Sequence, residues 1–221
     1  RQARSVGATG IHRPLTAEVM VFAPLEGATT PLIRVELDHV GMPDEQHAKL
    51  VQTVSNAGNV PAENVITTFS HSHSAGNFAS DRVHLPGGEL IDAYMQEVYA
   101  KIAAATRQAV NKVQEAVITY GVGHCNLAAN RDYWDTAKGI YTCGFNPEGK
   151  ADDTVVVARI TNREGALLGT VVNYACHPTV LAWENTLISP DYIGAMREVV
   201  EQATGAPCVF ALGACGELGA R

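Results

Sequence analysis

Hydrophobic and polar positions alternate with a period of two along Ala17–Phe22 and Leu32–Asp38. Both segments carry β-branched residues, which predicts two strands. Pro43 then opens a helix to about Ala57, because proline fits a first helical turn. Val65–Ser70 has the length of a short buried strand. The period then changes: Ile91, Met95, Val98, Ile102, Ala105, Ala109 and Val113 recur every three or four residues, predicting one amphipathic helix over about Leu90–Ala116. Strands follow at Val117–Gly123, Val155–Thr161 and Leu167–Ala175, the last two joined by a hairpin turn at Asn162-Arg163-Glu164-Gly165. A helix over Asp191–Thr204 leads into a last apolar strand, Cys208–Leu212. Between Asn126 and Asp153 the chain is rich in Gly, Asn and Asp and reads as one long loop. The sum is a mixed α/β fold with a partly parallel sheet flanked by helices.

The 221 residues suffice for a real core, and 46% hydrophobic with 18% charged residues is the balance of an ordinary globular protein. A net charge of -7, with no run of Lys or Arg, argues against a nucleic-acid partner, since phosphate binding needs a basic face. No stretch approaches the roughly 20 apolar residues of a membrane helix, so a lipid substrate would have to be drawn into a cleft. The five cysteines show no CxxC pair; they are expected as core or loop thiols, with room for one disulfide. The chain opens at RQARSV and closes in the Gly-rich turn GACGELGAR, so 1–221 is expected to be an incomplete domain with its remainder downstream.

Candidate chemistry gathers where strands end, the place where α/β sheets bind ligands. His71 and His73 lie in FSHSHSAGN after a predicted strand. If that strand continues, residues two apart share a face about 6.5–7 Å apart, and two imidazoles address one spot. His177 follows the strand of VVNYACHP directly, and Pro178 bars its continuation. A capped loop histidine is the alternative for each alone; together they favour a shared metal site. The turn after Cys208–Leu212, with Gly216, Glu217 and Gly219, offers backbone N–H groups for an oxyanion. Arg131 in the long loop can clamp a carbonyl oxygen or simply be solvated. Asp38, at a strand end, is a candidate second partner for a metal-bound imidazole. Asp191 is either that or a helix N-terminal residue, the latter favoured.

Read in order, GIHRPLTAEVMVF, PLIRVELDHVGMP, PAENVITTFSHSHSAGN, NRDYWD and NYACHPTVLAWENTLISPDYIGAM resemble successive segments of the neutral/alkaline ceramidase family. The third resembles the family's HTHSGPGG stretch and the last its LISGDNKG run. The resemblance spans nearly the whole chain. It implies Zn2+ held by His71 and His177, with His73 and Arg131 facing the substrate and the oxyanion. It also implies further Glu and Tyr ligands far downstream, and secretion or a periplasmic location. One departure stands out: the family's GDVSPN turn reads GELGAR here, placing Gly219 where the family has serine and Glu217 where it has aspartate.

These readings together predict a zinc-dependent hydrolase of an amide bond, ceramidase-like, acting on a lipid or other small molecule. The alternatives are a metal-dependent hydrolase of a non-sphingolipid ester or amide, and a degenerate module that binds a ligand without turnover. No aromatic-rich or Leu-rich loop is evident that would build the long apolar groove a ceramide needs.

Overall fold

The computed structural model describes residues 7–27 and 30–221. In chain order the elements are β1 (Gly10–Ile11), β2 (Ala17–Phe22), β3 (Leu32–Leu37), α1 (Asp44–Gly58), β4 (Val65–Phe69), α2 (Ile91–Asn111), β5 (Val117–His124) and β6 (Ala128–Asn130). There follow β7 (Asp132–Asp135), β8 (Ile140–Cys143), β9 (Thr154–Thr161), β10 (Leu167–Tyr174), β11 (Leu187–Ile188), α3 (Tyr192–Thr204), β12 (Cys208–Leu212) and β13 (Leu218–Ala220). The fold is mixed α/β, as the hydrophobic pattern predicts. Two larger sheets carry it, in the orders β2-β3-β4 and β12-β10-β9-β5. Each is mixed: β3 runs parallel to β4 and β10 parallel to β12, while the β2–β3, β9–β10 and β5–β9 pairs are antiparallel.

The first core lies between the β2-β3-β4 sheet and the two long helices. Ile33, Val35 and Leu37 alternate along β3 and point into it. Leu50 and Val54 of α1 and Ile91, Met95, Tyr99 and Ile102 of α2 supply the facing stripes at helical spacing. Helix α2 ends at Asn111, five residues short of the predicted Ala116. Its last buried residue is Thr106, and Val113 is exposed, so beyond that point no core remains to hold a helix. The second core packs Ile193 of α3 against Phe210 of β12 and Tyr174 of β10, with Cys176, Cys215 and Leu218 at its edge. All five cysteines are free thiols.

The predicted hairpin turn between β9 and β10 is present. Asn162 Oδ1 accepts from Ala166 N at 2.8 Å, and Gly165 adopts φ 84°, which favours glycine. The stretch from Asn126 to Asp153, predicted as a loop, instead holds three short strands. β7 and β8 form a hairpin whose turn is an Asp135 Asx arrangement closed by Gly139 at φ 66°. β6 pairs with β13 from the other end of the chain. At the outer margin of the four-stranded sheet, β5 leaves Ile118, Tyr120 and Val122 exposed.

Charged groups are buried behind the first core. Arg197 of α3 donates to Glu18 at 2.8 Å and to Asp38, a carboxylate that is fully buried. Thr16 adds N–H and hydroxyl bonds to the same Asp38 oxygen, at 2.9 and 3.0 Å. Asp38 thus serves an ion pair with Arg197. Nearby, Arg34 pairs with Glu36 at 2.7 Å and reaches Phe210 O where the two sheets meet. Burial pushes both Glu18 and Glu36 up to about 7.

His39 is a core histidine: it stacks on Phe78 with centroids 4.7 Å apart, and its Nε2 meets Tyr94 Oη at 3.2 Å. Burial lowers it to about 4 from the usual 6.5. Below pH 6.5 the unfolded chain takes up a proton that the folded chain refuses until about 4, so the protein loses stability across that window as pH falls. At 1.36 kcal/mol per unit, the loss is about 3 kcal/mol. Comparing denaturant midpoints of the wild type and His39→Phe at pH 7.5 and 4.5 tests this. The variant is expected to lack that part of the acid sensitivity, and parallel pH curves would refute the assignment.

Candidate metal centre

The carboxyl ends of β3, β4, β10 and β12 open on one side of the molecule, and the segments leaving them build the site. β4 ends at Phe69, and Ser70 N still bonds Leu37 O at 2.9 Å. At His71 the backbone turns to φ 60°. The strand has already ended and this residue turns the chain, so the two histidines do not converge by strand alternation as predicted. The turn does it instead, bringing the His71 and His73 rings to 4.9 Å between centroids, nearly perpendicular at 86°. His177 arrives from β10 and lies 4.7 Å from His71 and 5.1 Å from His73.

One nitrogen from each of His71, His73 and His177 lies within 4.8 Å of the others. The Nε2 atoms of His73 and His177 stand 3.2 Å apart. That is the reach of a direct imidazole–imidazole hydrogen bond. It is also close to the separation, about 3.4 Å, of two nitrogens bound tetrahedrally to one ion at about 2.0–2.1 Å, so the three-histidine cluster is compact enough for a metal. The outward nitrogens are held as a ligand requires. His71 Nδ1 bonds Val40 O, and His177 Nδ1 lies 3.0 Å from Cys215 O. A carbonyl can only accept, so His71 Nδ1 carries the proton and its Nε2 lone pair turns inward; His177 takes the same tautomer when its Nδ1 proton is directed to Cys215 O. The three histidines can therefore hold a metal ion. Burial raises the Cys215 thiol and pushes Cys176 up to about 11, so both stay protonated at neutral pH.

Arg131 comes to the site because β6 pairs with β13: Arg131 N donates to Glu217 O at 2.8 Å. Its guanidinium donates to Gly216 O through Nε at 3.0 Å and Nη2 at 2.7 Å. Nη2 also lies 3.1 Å from His177 Nδ1. With that nitrogen protonated toward Cys215, the arginine stands beside the imidazole and is anchored by Gly216. The Gly-rich turn, expected to present N–H groups, meets the site through carbonyls instead: Cys215 to His177, and Gly216 and Glu217 to Arg131. The Glu217 side chain is exposed. A Cβ at Gly219 would lie 3.4 Å from Arg131 Cδ, an ordinary contact, so space alone does not demand glycine there.

A cleft of about 450 Å³ opens over this cluster, lined by His73, His177, Arg131, Gly216, Thr179 and the β8 residues Tyr141–Cys143. The β7–β8 hairpin forms one wall and carries Trp134 and Tyr141 in edge contact at 5.0 Å, both exposed. The sequence hides this aromatic surface because DYWD and IYTC sit inside a polar stretch. Asp135 and Gly139, spaced to close a turn between two alternating segments, are the signal that reveals it. Among the described residues, no helix is long and apolar enough to cross a membrane.

Residues 3–209 match the model of the family described as neutral/alkaline non-lysosomal ceramidase, N-terminal. Among solved structures, the fold is similar to the neutral ceramidase from Pseudomonas aeruginosa, with a TM-score of 0.75 and 23% identity over 96% of this chain and 35% of that one. A ceramidase complexed with C2 is similar at TM-score 0.72 and 21% identity, over 96% of this chain and 34% of that one. The chain thus spans about a third of the length of the structures it matches. No curated protein matches it.

Proposed function

This chain belongs to the neutral/alkaline non-lysosomal ceramidase family, and on that premise we propose that it carries the histidine part of a zinc-dependent site hydrolysing the amide bond of an N-acylsphingosine-type lipid. The observation that supports this most is the cluster of three imidazoles, with two Nδ1 atoms tied to carbonyls. His71 and His177 would hold the ion through Nε2. When bound, zinc lowers the pKa of water to about 7 and polarises a carbonyl.

The remaining groups act on the substrate. His73 lines the cleft where His71 does not, which suits a residue that hydrogen-bonds the reacting carbonyl and moves a proton at Nε2. Arg131, fixed at the cleft wall by Gly216, places a permanent cation where negative charge develops on the carbonyl oxygen. Trp134 and Tyr141 give an apolar border suited to hydrocarbon chains. Nothing in this scheme draws on a side chain at Gly219.

The test is release of fatty acid from a labelled ceramide by the full-length protein, beside short acyl amides and esters. Ceramide is expected to be cleaved in preference to the panel, and a chelator to abolish the activity until zinc is restored. Preference for short esters or amides would instead favour a non-sphingolipid hydrolase. Inactivity on every substrate, with no bound metal, would favour a ligand-binding module.

A further inference from the structure

Asp191 is buried in an unusual backbone conformation, φ 61° and ψ −149°, a region held almost only by glycine. It occupies the N-cap position of α3, where asparagine, aspartate and serine serve alike. Its bonding goes beyond that of a cap, however. A capping carboxylate accepts from the second or third helical N–H, whereas Asp191 accepts from the first, Tyr192 N, at 2.7 Å. The same oxygen takes Val180 N at 3.2 Å, and the other takes Leu181 N at 3.2 Å. The favoured helix-start role is therefore present, but it accounts for only one of the three bonds to this carboxylate.

What the carboxylate holds is the turn that leaves His177. In that turn Thr179 N bonds His177 O at 2.8 Å, and Pro178 O receives His73 N at 3.2 Å. The segment before Asp191 is fastened to the other histidine loop as well: Ser72 Oγ donates to Ser189 O at 2.9 Å, and Ser189 N to Ser74 O at 3.0 Å. Ser189 Oγ in turn accepts from Asp191 N at 3.1 Å. Asp191 thus joins the loop of His177 to that of His71 and His73.

We propose that Asp191 is a positioning residue for the histidine cluster, its carboxylate setting the Pro178–Leu181 turn so that the imidazoles meet at ligand spacing. The proposal rests on the metal reading of that cluster. Three backbone N–H groups converge on two anionic oxygens, and only a carboxylate of this length accepts all three. In Asp191→Asn the side-chain amide would turn an NH2 group toward one of those donors. In Asp191→Ser the single hydroxyl is too short to span them.

The experiment measures Zn2+ affinity of the purified full-length protein by competition with a chromophoric chelator, for the wild type, Asp191→Asn, Asp191→Ser and Asp191→Gly. Circular dichroism of the metal-free forms identifies which of them are folded. Asparagine and serine preserve a helix cap, and glycine relieves the backbone strain, so at least one folded variant is expected. Each folded variant is expected to bind zinc about 10–100-fold more weakly, as when support behind a ligand is removed. Affinity within about twofold of wild type in folded Asp191→Asn and Asp191→Ser, the result of a capping role alone, would overturn the proposal. A wild type that binds no zinc would instead defeat the metal reading, so the two failures are distinct.

Discussion

His177→Ala and His71→Ala are each expected to reduce the zinc content of the full-length protein from one equivalent to background, whereas His73→Ala is expected to keep the ion and lose turnover. The first two side chains point Nε2 inward with Nδ1 fixed by a carbonyl, so each removal deletes one ligand. Zinc at a catalytic centre has only about three protein ligands, and losing one leaves too few to compete with water. His71 needs a further control because its backbone sits at φ 60°. Alanine there adds backbone strain to the loss of the ring, whereas asparagine tolerates that conformation, so His71→Asn isolates the ring. Elemental analysis of desalted protein gives the answer. Normal zinc in both His71 and His177 variants would sink the metal reading, and zinc lost from His73→Ala would make that residue a third ligand.

Arg197→Met is expected to lower stability by about 3–5 kcal/mol at neutral pH, the usual cost of leaving a buried charge without its partner. Arg197 is itself buried and reaches both Glu18 and the fully buried Asp38. One Asp38 oxygen already has no hydrogen-bond partner among the described residues, so the carboxylate depends on what its other oxygen retains. Methionine nearly keeps the volume and removes the cation, which makes the loss electrostatic. The sign with pH follows from Glu18, which burial raises to about 7 against the pull of Arg197: acid neutralises it once orphaned, so the gap to wild type should narrow as pH falls. Urea denaturation at pH 7.5 and 5 measures both quantities. A loss below about 1 kcal/mol, or a gap that widens in acid, would refute the account.

Much of the fold is legible along the chain because its cores are built from regular stripes. β2 and β12 fall where alternation and apolar runs place them, and Pro43 marks the start of α1 within a residue. What escapes is pairing between short segments distant in sequence. β6 and β13 have three residues each and are joined across almost ninety positions, too few for periodicity to register. β1 and β11 pair through only two residues each. The chain names the clustered histidines, but they meet by a different route from the one expected: a turn with His71 at φ 60°, not strand alternation, brings the rings to 4.9 Å. Asp38 illustrates the opposite limit. A carboxylate at a strand end has the chemistry of a histidine partner, but Arg197, nearly 160 residues on, claims it first.

The outermost strand of the larger sheet, β5, bears on how the protein behaves in the tube. Among the described residues its far side presents an open row of amide and carbonyl groups along eight residues, with Ile118, Tyr120 and Val122 exposed beside them. Such a margin is a template on which another extended segment can register, whether from a neighbouring molecule or from a misfolded one. A lysine facing solvent at one of those three positions is the natural way to blunt that template without disturbing the chemistry.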